Sequence, residues 1–392
     1  MRKVLFAIYL LLFLPTFANA NTISKDSLKW SQRMAISVMK RYPKAWQMDN
    51  QTKPKLDYKP TFALLSFEKL YKITKNETYH KYITDYIGIF VDSTGVISHY
   101  EKNEYNIDYL MTGNLIFDLY EDTNQSRYLT SMNTFKSQIE SQPRTTSGGF
   151  WHKNIYSNQM WLDGIYMGTP FYSRFTKAFE AGKNYDDIIK QFELIHNNSF
   201  DAKTKLPYHA WDESKQIAWA DKSTGNSPTI WSRGVGWYAM ALVDVLDNLP
   251  KEHPKRKELI GYLNEVANAL KKCQDKSGLW HQVVDKKELE GNYLEASGSA
   301  MFAYTFAKGV SKGYLPKKFT KIANKTFDGI LKNLVIVDSN GEIHLNQISQ
   351  GIGLGGNPFR DGSNKYYVDS KKNTDNSIGV GAFILAALAL NR

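Results

Sequence analysis

Asp163 is the residue of this chain best placed to move a proton. It stands in Gln159-Met160-Trp161-Leu162-Asp163-Gly164-Ile165-Tyr166-Met167, inside an apolar run where an unpaired carboxylate is costly. Burial favours the neutral form of a carboxyl group, and a neutral carboxylic acid can donate a proton near neutral pH. Asp108, in Ile107-Asp108-Tyr109, heads a second apolar stretch and fits a helix cap and a second working carboxylate equally well. Arg233, in Trp231-Ser232-Arg233-Gly234-Val235-Gly236-Trp237, suits a bidentate grip on a carboxylate and equally an internal ion pair. Gly234 and Gly236 beside it point to close approach of another backbone, because glycine otherwise weakens a helix.

Four tryptophans, Trp151, Trp161, Trp231 and Trp237, lie close to these polar groups in sequence. Indole faces pack on the C–H faces of sugar rings while convergent polar groups bond the hydroxyls, so the set points to a carbohydrate. Four segments end in histidine: Phe150-Trp151-His152, Pro207-Tyr208-His209, Leu279-Trp280-His281 and Glu342-Ile343-His344. Each reads as a short strand whose histidine either serves the site or bonds backbone. None forms an H-x-x-x-H or H-E-x-x-H pair, so no metal centre is expected among them. The glycine-rich run 351–356 lacks the strand and βαβ unit of a dinucleotide loop and reads as a turn.

Helical elements must position these groups. Hydrophobic periodicity predicts about twelve helices, near residues 28–41, 58–73, 77–90, 107–120, 125–141, 158–179, 185–197, 231–248, 255–272, 297–309, 316–333 and 376–390. Connections alternate between long (42–57, 91–106, 142–157, 198–230, 273–296, 334–375) and short (74–76, 121–124, 180–184, 249–254, 310–315). Antiparallel neighbours then bring all the long loops to one end, and the repeat interval is about 60 residues. The pattern predicts an all-α fold, an (α/α)6 barrel of six helical hairpins with short strands at the decorated end. The second helix of each pair starts there, at Tyr58, Asp108, Asp163, Arg233, Ser297 and Asn376.

Composition narrows the class. The chain has 392 residues, one cysteine and a formal charge of +11, with 14% aromatic residues. A single thiol excludes an internal disulfide framework. The positive charge is scattered rather than run together, so a nucleic-acid groove is not expected. Met1–Ala20 carries Arg2 and Lys3, an apolar stretch and the small-residue end Ala18-Asn19-Ala20, the pattern of a secretory signal. The expectation is an exported protein, periplasmic rather than fully secreted, with residues 21–392 forming one catalytic domain. The apolar run near 381–390 is too short to span a bilayer and reads as a buried helix, so no membrane partner is expected.

The segments MWLDGIYM (160–167), WSRGVGWYAMALVDVL (231–246), LEASGSAMFAY (294–304) and GLGGNPFRDGS (353–363) resemble glycoside hydrolase family 105. These are the unsaturated rhamnogalacturonyl hydrolases and related unsaturated uronyl hydrolases, and the likeness runs through nearly the whole chain after the signal. It implies an (α/α)6 barrel and the removal of a 4,5-unsaturated uronic acid from oligosaccharides left by polysaccharide lyases, by hydration of the vinyl ether. It implies Asp163 as acid and base and Asp108 as the second active-site carboxylate. It also implies that His152, His209, Trp231, Arg233, Trp237 and Tyr58 line the uronate subsite, beside the indole of Trp161. It implies no metal or organic cofactor.

Two departures from the family pattern bear on the leaving sugar. Tyr109-Leu110-Met111-Thr112-Gly113 stands where the family often has His-x-x-Pro-Gly, and Asn364-Lys365 stands where it often has Tyr-Glu. Lys365 in place of an acid makes the expected rim more positive, which suits an acidic oligosaccharide with a sulfated rhamnose, as from ulvan. The alternatives are a hydrolase of unsaturated glycosaminoglycan disaccharides and a non-catalytic binder of acidic oligosaccharides on the same barrel.

Overall fold

The computed structural model describes residues 28–392, so the expected signal segment lies outside the described residues. These form thirteen α-helices and eight short strands. In chain order the helices are α1 (Trp30–Arg41), α2 (Tyr58–Thr74), α3 (Glu77–Phe90), α4 (Leu110–Thr123), α5 (Ser126–Ser141), α6 (Leu162–Phe179) and α7 (Tyr185–Ser199). They continue with α8 (Ser232–Leu246), α9 (Arg256–Cys273), α10 (Ala296–Ser311), α11 (Lys318–Asn333), α12 (Asn364–Val368) and α13 (Ser377–Ala389).

Neighbour packing closes a ring: α2 on α4, α4 on α6, α6 on α8, α8 on α10, α10 on α13 and α13 back on α2. The other long helices pack outside it, α1 on α13, α3 on α2, α5 on α4, α7 on α6, α9 on α8 and α11 on α10. This is the expected ring of six hairpins, with the second helix of each pair inside. Inner helices touch neighbours on several sides, which is why α13 is apolar around its whole circumference and buried from Ser377 to Ala387. No described helix is long and apolar enough to cross a membrane.

The long loops at the mouth are tied by antiparallel two-stranded ladders: β1 (Gln159–Trp161) with β2 (Ala210–Asp212), β3 (Trp280–His281) with β4 (Leu294–Glu295), β5 (Val335–Val337) with β6 (Ile343–Leu345), and β7 (Ile348–Ser349) with β8 (Lys372–Asn373). Here the structure corrects one helix start. Residues 159–161 are extended, because they pair with 210–212 in the next hairpin, and α6 begins only at Leu162. Trp231 is likewise extended, bridging Val283 before α8 begins. Asp163 and Arg233 therefore occupy equivalent places, each the second residue of an inner helix entered from a tryptophan.

Gly234 and Gly236 meet side chains rather than the expected backbone, and the close backbone approach between α8 and α10 is at Gly298. A Cβ at Gly298 would lie 2.9 Å from the Ser232 carbonyl carbon, and one at Gly236 would lie 2.9 Å from the Met301 Cβ. Gly298→Ala is expected to lower the unfolding free energy by about 1–3 kcal/mol through overpacking. Gly234→Ala, whose Cβ meets side-chain carbons of Trp231, Leu162 and His209 at 3.2, 3.4 and 3.7 Å, should cost less. Urea unfolding of the two variants checks the order.

Candidate active site

The mouth of the ring holds a chain of contacts running from one carboxylate to the other. Asp163, in the first turn of α6, lies 3.0 Å through Oδ2 from His209 Nε2, and His209 Nδ1 lies 2.6 Å from the Tyr367 hydroxyl. With Asp163 ionised, His209 Nε2–H donates to it and the Tyr367 hydroxyl donates to Nδ1. With Asp163 protonated both bonds reverse, so the acid can load and release its proton without losing its partner. Burial pushes the Tyr367 phenol well up, which keeps it protonated.

Asp108 stands in the single turn before α4. Its backbone N–H is taken by the Asn106 side chain at 3.1 Å. Asn106 is thus the cap, and the Asp108 carboxylate is free to face Lys153 Nζ at 2.8 Å and His152 Nε2 at 3.5 Å. Burial drives the His152 imidazole down to about 4, so it is neutral above that pH. Burial, the largest single influence, acts to raise Asp108, but Lys153, His152 and Lys55 together outweigh it and hold the carboxyl below the usual aspartate range.

Two aromatic contacts join these groups. His152 stacks on Trp161 at 4.7 Å with planes 6° apart, and the Trp161 ring meets His209 edge-on at 5.4 Å. Tyr156 covers the stack, 4.7 Å from Trp161. Gly164 has a stated cause: a Cβ there would come within 2.8 Å of His152 Nδ1. Trp231 leans on His209 at 4.7 Å and lies 4.9 Å from the Arg233 guanidinium.

A cavity of about 500 Å³ opens beside this chain, lined among others by Lys55, Tyr58, Lys59, Asp108, Lys153 and Arg360. That size accommodates a small oligosaccharide end. Tyr58 opens α2 and its phenol is pushed well up, by burial first and then by the charges of Asp108 and Asp163. The segment Gly351–Ile352 also lines the cavity, so the glycine-rich run is a loop over the mouth.

Several expected site residues have other surroundings. Arg233 faces no carboxylate within ion-pair distance: Nη1 donates to Ser297 Oγ at 3.3 Å, and Nη2 donates to the carbonyls of Ser349, at 2.9 Å, and Gln350. Trp237 is fully buried at the barrel axis, 4.8 Å from Phe62 and 5.0 Å from Tyr166. It lies four residues beyond Arg233 on the same helix face, about 6 Å further along α8, and packs in the core beneath the mouth. His281 belongs to the β3–β4 ladder, and His344 lies in β6 and bonds Asp375 and Asp338. Of the four expected strands only these two form: His152 and His209, the two site histidines, lie in bends after single bridges at Phe150 and Pro207. Lys365 is exposed and paired with Asp369 at 2.5 Å; the positive charge on the cavity comes from Lys55, Lys59, Lys153 and Arg360 instead.

Lys153 and Tyr367 escaped the sequence reading. Lys153 directly follows the Trp151-His152 pair, which was the available signal, whereas nothing local ties Tyr367 to His209. Replacing Lys153 by Met removes the largest of the influences that oppose burial at Asp108, so its carboxyl is expected to rise. The acid limb of activity then moves to higher pH, as a pH–rate profile would show. The sign for stability follows: a carboxyl lowered by folding stabilises above its unfolded pKa, and this is lost as pH falls through the folded value.

The model of Glycosyl Hydrolase Family 88 matches residues 30–392. A solved family 105 glycoside hydrolase of C. acetobutylicum ATCC 824 is 39% identical with a TM-score of 0.89, covering 93% of this chain and 99% of that one. The unsaturated rhamnogalacturonyl hydrolase YesR of Bacillus subtilis is 27% identical over 78% of this chain and 83% of its own. An unsaturated 3S-rhamnoglycuronyl hydrolase of Formosa agariphila is 25% identical over 40% of this chain and 42% of its own. With a full-length family match and a helical ring that superposes on a family 105 enzyme, the chain belongs to the glycoside hydrolases of families 88 and 105.

Proposed function

We propose that this glycosidase removes a 4,5-unsaturated uronic acid from the non-reducing end of lyase-generated, rhamnose-linked oligosaccharides of the rhamnogalacturonan or ulvan type. The observation that carries the reading is the inequality of the two carboxylates. Asp108 is held as an anion by Lys153, whereas Asp163 sits against a histidine that can give or take its proton. An ionised and a protonatable carboxylate would equally equip a displacement by a nucleophile and a separate acid, so the choice rests on the unsaturated uronyl hydrolases among the relatives. For them one acid is enough. Asp163 delivers a proton to C4 of the enol ether, and water adds at C5, giving up its proton to the Asp163 carboxylate. The hemiketal then opens, and the hemiacetal formed at C1 expels the leaving sugar. Asp108 orders the water or the sugar hydroxyls.

On the cavity wall Lys59 pairs with Asp57 and Lys153 with Asp108, while Lys55 and Arg360 add positive charge that favours an acidic substrate and supports a sulfate on the leaving rhamnose. The expected signal segment at residues 1–20 supports a periplasmic location. The test is loss of the ultraviolet absorbance of the conjugated enoate, followed on unsaturated oligosaccharides from pectin, ulvan and glycosaminoglycans. Consumption of glycosaminoglycan disaccharides alone would overturn the rhamnose reading, and binding without loss of absorbance would overturn hydrolysis. Equal efficiency on sulfated and desulfated substrates would remove the sulfate.

A further inference from the structure

At the end of the ring opposite the active site, three side chains from three helices converge. Glu68 lies ten residues beyond Tyr58 along α2, about 15 Å from the mouth. His80 comes from the start of α3, and Asp122 from the end of α4. One ligand atom from each lies within 4.8 Å of the other two. Glu68 is 0% exposed; neither carboxylate oxygen receives an N–H donor, and the polar group they meet is the Asp122 carboxylate. Nδ1 of His80 is also buried without a partner. The nearest recorded cation, Lys72, lies 3.7 Å from Glu68 Oε1 but directs its ammonium to Asp118 at 3.0 Å. A buried carboxylate normally collects several donors, since leaving one unbonded is expensive.

We propose that Glu68, His80 and Asp122 bind a divalent cation of the zinc type, which ties α3 to the ends of α2 and α4. One imidazole and two carboxylates form a donor set for a borderline ion such as Zn2+ or Mn2+, whereas Mg2+ and Ca2+ prefer oxygen donors throughout. Asp122 is exposed, which leaves an entry path and room for a water to complete the coordination. The Tyr71 ring, 4.6 Å from the His80 ring, limits the imidazole's freedom to turn away. The site stands apart from the sugar chemistry, and its role is to brace the closed end of the barrel.

The experiment uses the full-length mature protein without a histidine tag, stripped with chelator and equilibrated with Zn2+. Elemental analysis is expected to give one zinc per chain, and Zn2+ at about 100 times its Kd to raise Tm by a few degrees, with Mg2+ having no effect. Co2+ should give visible d–d bands. His80→Ala should weaken binding at least 10-fold and abolish the bands, with hydrolysis unchanged. His80 is half-buried at the start of an outer helix, so this variant should fold; Glu68→Gln provides the second. Absence of stoichiometric zinc would mean that Glu68 and Asp122 instead share a proton, and the proposal fails. Zinc bound as tightly by His80→Ala as by wild type would overturn it as well.

Discussion

Asp163→Asn is expected to lower kcat by about 10³-fold while KM stays within a factor of a few, because positioned acid–base groups contribute roughly 10²–10⁴-fold. The asparagine keeps the size of the side chain, and its carbonyl still accepts from His209 Nε2–H, so the mouth retains its shape. What it loses is the proton for C4. A fall in kcat and kcat/KM together, with binding intact, is the signature of an interaction needed only in the transition state. Tyr367→Phe provides the matching milder case: it removes the hydroxyl beyond His209 without touching Asp163, and about a 10-fold loss with a shifted pH profile is expected. A kcat for Asp163→Asn near that of wild type, measured by enoate absorbance, would move the acid role elsewhere. Asp108 is a poor substitute, since Lys153 keeps it ionised.

The parts of this enzyme legible in the sequence are those written locally. Helix periodicity and the alternation of long and short loops are properties of neighbouring residues, and they led to the ring. Asp163 stood out for a similar reason, as a charge inside an apolar run. The features missed depend on partners far along the chain. Residues 159–161 look helical by themselves and are extended only because they pair with 210–212. Tyr367 reaches His209 across 158 positions, on the short helix α12, for which no periodicity was visible. Trp237 shows how depth escapes the sequence: it shares a helix face with Arg233 one turn away, and the structure sets it against Phe62 and Tyr166. The three residues of the proposed cation site come from three helices and carry no spacing motif at all.

Arg233→Met is expected to lower the unfolding free energy by about 2–6 kcal/mol, at about 1–3 kcal/mol for each of the two buried carbonyls left without its donor. The link from Arg233 to an anion is indirect. Arg233 donates to Ser297 Oγ, and the Ser297 hydroxyl donates to Glu295 Oε1 at 2.7 Å; Arg233 is 1% and Glu295 0% exposed. Glu295 also caps α10 through the N–H groups of Ser297 and Gly298, and accepts from Ser349 N–H at 3.0 Å. Methionine fills much of the same volume but leaves two carbonyls and an anion without their cation. Because the fault is an uncompensated charge, adding Glu295→Gln should recover part of the loss, and the double variant should deviate from additivity by about 0.5–3 kcal/mol. A clamp on the substrate carboxylate predicts something else: raised KM with little change in stability, and no coupling to Glu295. Urea unfolding of the two single variants and the double, with enoate kinetics on each, separates the two roles. The carbonyls of Ser349 and Gln350 lead directly into Gly351 and Ile352 on the cavity wall. Loss of their anchor should therefore lower kcat/KM even where the variant remains folded, tying the stability of this loop to its hold on the sugar.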